Sequence, residues 1–438
     1  MATFFDNATL VQLDPPLVQA GNLRVAEGVI AQVGPDCQPL AGDQMIECSQ
    51  AVLLPGLVNG HTHLYSALAA GMPAPPRPPQ NFHEILQLIW WRLDRAHSIE
   101  SVRASGQIGA LAALRCGTTT LIDHHASPNA IEGSLSALEE GIAEVGCRGV
   151  LCYETTDRNH VGEAAAGLAE NRRYAQACSA AANGLFASMV GAHASFTLEE
   201  QSLADCVDLA RELGVGLHIH AAEDPVDEQI TQQRFGCGLV ERFERHALLE
   251  VPGTIVAHGT HLGEAGWQMI DEHAAAVTLA HNPSSNMNNG VGYTPVVQLS
   301  HPPSLGTDGI GADMWREARV AQFKSSDAGQ TLPFGQPLEM LAQSARVASR
   351  ALGTQLGKLE PGAAADLVLT DYRPATPLTT ENLAGHLIFA LGPEWVRHVM
   401  IAGHWCLKDH QVVSCDETAI RARSVGVAQS VYKRMAQL

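Results

Sequence analysis

The sequence predicts an α/β protein: an eight-stranded parallel β/α barrel over residues 55–358, with a small composite β-sandwich domain built from residues 1–54 and 359–438, the latter ending in a helix. Three observations predict it. Eight apolar runs alternate with helical stretches through the middle of the chain, each of these runs carries a histidine or an acidic residue at or near its end, and both flanks carry short alternating strands too few to fold alone.

The runs are "GLVNGHTH" (56–63), "TTTLIDHH" (118–125), "GVLCYETT" (149–156), "SMVGAHA" (188–194), "GVGLHIHAAE" (214–223), "GTIVAHGTH" (253–261), "AAVTLAHNP" (275–283) and "SLGTDGIG" (304–311). Strands this uniformly apolar are buried on both faces, and eight of them alternating with helices imply closure into a TIM barrel. Between them, "QSLADCVDLARELG" (201–214) sets Leu203, Cys206, Val207, Leu209 and Ala210 on one helical face before a terminal glycine. No Gly-x-Gly-x-x-Gly turn follows the first run, which argues against an open dinucleotide-binding sheet. At the ends, residues 8–34 alternate around a hairpin-like break at Glu27-Gly28, and residues 362–413 alternate in the same way. The insert "MPAPPRPPQNFHE" (72–84) predicts no regular structure and falls over the barrel mouth as a candidate lid.

Composition narrows the partners. With 27 basic and 46 acidic residues the net charge is -19, leaving no basic patch for nucleic acid or for an anionic membrane surface. The start "MATFFDNATLVQL" lacks a secretory pattern and no run approaches the roughly 20 apolar residues of a membrane span, so a cytoplasmic protein is expected. Ten cysteines without a Cys-x-x-Cys pair read as reduced, mostly buried thiols. The sequence does not fix an oligomeric state; large barrels with exposed helical faces often pair, and a homodimer is expected on that ground alone.

His61 and His63 lie two apart on a strand, so their imidazoles project to one side and can grip one object. In a parallel barrel the strand C-termini share one face, which gathers the polar endings into a set: His61, His63, Asp123-His124-His125, Glu154, His193, His220, Glu223, His258, His281 and Asp308. Neutral imidazoles and a carboxylate suit a divalent transition metal, and three histidines with one aspartate leave room for a bound water whose pKa is drawn to about 7. Zinc heads the candidates, with iron(II) as the alternative, one ion per chain. Glu223 is placed to take a proton from that water and pass it to a leaving group, and His258 to hydrogen-bond the water or the oxyanion that follows.

Other residues fall outside this set or at its edge. His218 shares the face of His220 one layer deeper and reads as core, His261 lies past its strand end, and Arg148 opens its strand at the opposite end of the barrel. His124 and His125 alternate faces, so one of them looks into the mouth; if Asp123 faces the helices it is His124, and both stay candidate substrate contacts with His193 and Glu154. Trp90, Trp91 and Arg92 offer indole or guanidinium faces that could cover a flat ring, although "EILQLIWWRLDRA" also has core-like helical spacing.

The ordered strings "PGLVNGHTH", "HIHAAE", "AHGTHL", "HNPSSNMNNGVG", "LGTDG" and "GKLEPGAAADLVLTD" resemble the amidohydrolase superfamily, in its branch of mononuclear metal-dependent deaminases and chlorohydrolases, over nearly the whole chain. That resemblance implies His61, His63, His220 and Asp308 as metal ligands, Glu223 as proton shuttle and His258 as the histidine that orients water. "LIWWRLDRA", "IDHHASP", "CYETTDRN", "GAHASFT" and "GTDGIGADM" are similar more narrowly to SsnA-type aminohydrolases, which implies a purine-like or related nitrogen heterocycle as substrate, attacked at an exocyclic C–NH2 bond with release of ammonia. Glu154 or Asp157 would then recognise ring N–H groups. The same nucleophile would serve a C–Cl or C–NHR bond of a triazine-like ring, and a catalytically silent relative is the remaining alternative. Binuclear members carry a bridging lysine at the end of the fourth strand; here His193 stands there, and the chain's lysines are only 324, 358, 408 and 433, which favours one metal.

Overall fold

The computed structural model describes residues 2–438. Five strands come first: β1 (Thr3–Leu13), β2 (Pro16–Ala26), β3 (Val29–Gly34), β4 (Gln44–Glu47) and β5 (Val52–Pro55). The turn expected at Glu27-Gly28 joins β2 to β3, with φ of 52° and 80°, the left-handed pair that a two-residue hairpin needs. The barrel strands follow: β6 (Leu57–Thr62), β7 (Thr118–His125), β8 (Arg148–Thr155), β9 (Phe186–Ser188), β10 (Val190–Ala194), β11 (Leu217–Ala221), β12 (Thr254–His258), β13 (Val277–His281) and β14 (Ser304–Leu305). The chain then returns to the small domain through β15 (Leu367–Thr370), β16 (Val396–Ile401), β17 (His404–Lys408) and β18 (Gln411–Val412), and ends in a helix, Glu417–Met435.

Parallel pairing runs β6-β7-β8-β10-β11-β12-β13-β14, with β9 beside β8, and a parallel bridge between Thr62 and Asp308 closes the ring. The fourth run is thus split at Met189 into β9 and β10, and the eighth contributes only two residues of strand. The barrel is plugged by side chains such as Val58, Ile122, Val150, Ile255 and Ala280.

The small domain is a single hydrogen-bonded sheet, β18-β17-β16-β15-β5-β1-β2-β3 with β4 beside β1, curled on itself. Ile30 N donates to Ala363 O at 2.8 Å and Ala365 N to Gly28 O at 2.9 Å, so β3 meets the segment before β15 and the curl encloses Phe5, Leu23, Ile30, Leu53, Leu367 and Met400. Arg148, at the base of β8, forks onto Asp366 with both bonds at 2.8 Å and ties the barrel floor to this sheet.

The Pro-rich insert is irregular as far as Asn81, whose side chain caps a helix beginning at Phe82, so its last three residues are helical where none was expected. The helical stretch from Phe82 to Arg95 contains a π turn at Leu86–Trp90. None of the ten cysteines is disulfide-bonded, and seven are buried. No described helix is long and apolar enough to cross a membrane.

Candidate metal centre

His61, at the end of β6, and His63, just past it, present ligating atoms that lie with those of His220 (β11) and Asp308 within 4.8 Å of one another. His63 Nε2 is 3.1 Å from His220 Nε2, and Asp308 Oδ1 is 3.0 Å from His63 Nε2 and 3.5 Å from His61 Nε2. Each Nδ1 is engaged behind: that of His63 with His124 O at 2.6 Å, that of His220 with His193 O at 2.8 Å, and that of His61 with His218 Nε2 at 2.8 Å. For His63 and His220 a carbonyl partner puts the ring proton on Nδ1 and turns the Nε2 lone pair inward.

These residues fit a divalent cation. His61 Nε2 is buried without a hydrogen-bond partner, an arrangement that costs free energy unless something fills the centre. Burial drives the His61 pKa down to about 3, keeping it a neutral donor. Burial also works against ionising Asp308, but His61 and His63 hold its carboxyl well below the usual range. His63 is the counterpart: burial opposes its charge, yet the Asp308 carboxylate beside it lifts its pKa to about 9.

Two more groups face the centre. His258, at a left-handed φ of 71°, has its Nδ1 2.9 Å from Asn286 Oδ1, and its Nε2 lies 3.6 Å from Glu223 Oε2 and 3.9 Å from Asp308 Oδ2. Asn286 spends its amide hydrogens on Thr260 and Thr294, which orients its oxygen toward His258. Burial pushes the Glu223 carboxyl up to about 7 against the pull of His258, a value suited to exchanging protons near neutrality. Asn289 Nδ2 donates to Glu223 Oε1 at 3.2 Å.

A cleft opens above the centre, walled by Tyr65, Phe82, Leu86, Trp90, Trp91, Phe196 and Ile310, with Glu154, His193, Glu223, Asp227 and Asn289 as its polar points. Of the expected substrate contacts, His193, Trp91 and Glu154 line it. Arg92 does not: Trp90 and Trp91 flank the cleft side, a further rotation of about 100° carries Arg92 away from it, and its Nη2 donates to Met435 O at 2.6 Å. His125 does not either, because it projects to the other face of β7, where Nε2 meets Ser127 Oγ at 2.9 Å. His124 does point into the barrel, but below the cleft, with Nε2 on the carbonyls of Ala192 and His218 and Nδ1 3.3 Å from Glu154. Asp157 is outside the lining; it receives Glu199 N at 2.8 Å. His281 is buried within the barrel end, away from the four ligating atoms.

Sequence reasoning missed Ser285, Asn286 and Asn289, which come from one short helix, Pro283–Asn289, and support Asp308, His258 and Glu223 in turn. Their signal was the polar string "SSNMNN" directly after a barrel strand. Arg158 was missed as well.

The Amidohydrolase family profile matches residues 52–406, and the chain belongs to that family. It is 27% identical over 447 residues to the 5'-deoxyadenosine deaminase of Methanosarcina mazei, covering 98% of each chain. It is 29% identical over 433 residues to the 5-methylthioadenosine/S-adenosylhomocysteine deaminase of Desulforudis audaxviator, covering 94% of this chain and 95% of the relative. Among solved structures, an adenosine deaminase from Xanthomonas campestris with bound zinc superposes with a TM-score of 0.84 at 23% identity, covering 100% of this chain and 99% of that one.

Proposed function

We propose that the protein is an aminohydrolase that replaces the exocyclic amino group of a purine-like heterocycle, an adenosine derivative foremost, by oxygen and releases ammonia. The observation that carries this reading is the meeting of a three-histidine, one-aspartate donor set with a buried, protonatable Glu223 at the floor of an aromatic cleft. The names of the two sequence relatives support the adenosine-type substrate.

One divalent ion, zinc foremost, would be held by His61, His63, His220 and Asp308, and when bound it supplies Lewis acidity and a water acidic enough to attack at neutral pH. Glu223 removes one proton from the attacking water and delivers it to the ring nitrogen next to the amino-bearing carbon. It then carries the second proton to the amine, so that C–N cleavage yields ammonia and a ring carbonyl. His258, whose Nδ1 is committed to Asn286, acts through Nε2 on the oxygen that gains charge as the carbon becomes tetrahedral. Trp90, Trp91 and Phe196 line the cleft and supply aromatic surface to cover the flat ring and exclude water from it.

The test is ammonia release by zinc-loaded protein across aminopurines, 5'-substituted adenosines, oxidised guanines, aminopyrimidines, pterins and amino- or chlorotriazines, with Asp308→Ala as control. Turnover of an aminopurine that the Asp308 variant abolishes is expected. Chloride or alkylamine release in place of ammonia overturns the reading.

A further inference from the structure

Arg158, just beyond β8, is buried beside the cleft and uses one guanidinium four ways. Its Nη1 lies 2.6 Å from Glu154 Oε1 and 3.2 Å from His193 Nδ1, its Nη2 pairs with Asp94, and its carbon sits 5.1 Å over the Trp91 ring. A guanidinium has donors and no acceptor. The nitrogen it meets on His193 must therefore offer a lone pair, which places the ring proton on Nε2, the nitrogen that no group among the described residues engages within hydrogen-bonding distance; Glu154 Oε1 is 3.8 Å away.

The other neighbour of that nitrogen would permit the reverse. Thr197 Oγ1 is 2.7 Å from His193 Nδ1 and 3.1 Å from Ala194 O, so by donating to the carbonyl it can accept from an Nδ1–H. Arg158 decides between the two tautomers. Glu154, at the same wall, has Oε1 taken by Arg158 and Oε2 facing His124, so the His193 edge is the free polar group there.

We propose that Arg158 is a positioning residue that fixes His193 as an Nε2–H donor, so that the heterocycle must present an acceptor, a ring-nitrogen lone pair or a carbonyl oxygen, to the end of β10. This deepens the aminohydrolase reading of the same cleft and rests on it for the substrate. An aminopurine meets the requirement through its lone-pair ring nitrogens; a ring edge carrying N–H or C–H there does not.

The experiment is long-range 1H–15N NMR of the imidazoles in zinc-loaded, 15N-histidine-labelled protein, with His193 assigned by the loss of its signals in His193→Asn. Wild type is expected to show His193 protonated on Nε2 alone. Arg158→Lys, which keeps a pure donor, should hold that tautomer. Arg158→Met should switch His193 to Nδ1–H, lower kcat/KM by roughly 10- to 100-fold and leave zinc stoichiometry unchanged. With inhibitors, the preference for a purine over its deaza analogue at the contacted nitrogen should vanish in the same variant. A wild-type His193 protonated on Nδ1, or an unchanged Nε2–H tautomer in folded Arg158→Met, overturns the proposal. If Arg158→Met does not fold, Arg158→Met/Asp94→Asn removes one of the two carboxylates that lose the guanidinium, Glu154 keeping His124 beside it, and is measured in its place. The tautomer is read without turnover, so a protein that releases no ammonia would sink the functional reading while leaving this one to be decided.

Discussion

Ser285 Oγ donates to Asp308 Oδ2 at 2.5 Å, on the oxygen opposite the one that faces His61 and His63. One carboxylate oxygen is thereby tied down and the other aimed at the centre. Ser285→Ala should weaken zinc retention about 10- to 100-fold, measured by chelator competition, without changing the melting temperature of the zinc-saturated protein by more than a few degrees. Unchanged affinity would mean that Asp308 is aimed by its backbone alone.

Glu223 and Asn289 make the second such pair. Glu223→Gln keeps the side chain's size and its contact with Asn289 but cannot carry a proton, so kcat should fall by about 10²- to 10⁴-fold with one zinc per chain retained. Asn289→Ala should cost less, about tenfold, and chiefly in kcat. Equal losses in the two variants would argue that Asn289 touches substrate directly.

Glu317 sets a pH dependence of stability away from the reaction. Its carboxylate accepts from Ser284 N at 3.2 Å, and burial pushes its pKa up to about 7. A carboxyl raised in the folded state favours folding while protonated, so this contribution is complete below about pH 4.5 and is lost as the pH rises through 7. By pH 8 the loss amounts to about 3 kcal/mol. Glu317→Gln should therefore gain stability relative to wild type between pH 5 and pH 8 in chemical denaturation; parallel curves would refute it.

The C-terminal helix straps the aromatic wall. Tyr432 Oη donates to Leu68 O at 2.6 Å, Val431 and Met435 pack with Tyr65 and Leu93, and Met435 O receives Arg92. Val431→Asp should loosen the segment that carries Trp90 and Trp91, raising KM about tenfold or more while zinc binding is kept. Stopped-flow tryptophan fluorescence on substrate addition would show the wall's altered mobility, and an unchanged KM would place the strap outside function.

Much of this arrangement was legible because strand geometry is a simple rule. Alternation placed His61 with His63 and His220 above His218, and the convergence of parallel strand ends brought Asp308 to them across the barrel seam. It also separated His124 from His125. The rule stops at the strand end. Arg92 was misplaced because Trp90 and Trp91 already flank the cleft side and a further rotation of about 100° carries the third consecutive residue off it, and the π turn at 86–90 further shifts the phase there. Ser285, Asn286 and Asn289 act from a helix whose partners lie on other strands, and Arg158 meets Asp94 across 64 residues of chain, a pairing that no local pattern encodes.

The barrel is inserted between two adjacent strands of the small sheet: Leu53 pairs with Leu369 and Leu54 with Val368. During synthesis, the edge of β5 therefore leaves the ribosome roughly 300 residues ahead of the strand that covers it, which at ordinary translation rates is about 15–60 s. Through that interval the nascent chain carries an open, wholly apolar β edge while the barrel is still being made. The step most exposed to aggregation is thus the wait for β15, and chaperone demand should fall on nascent chains that have completed β5 but not yet β15.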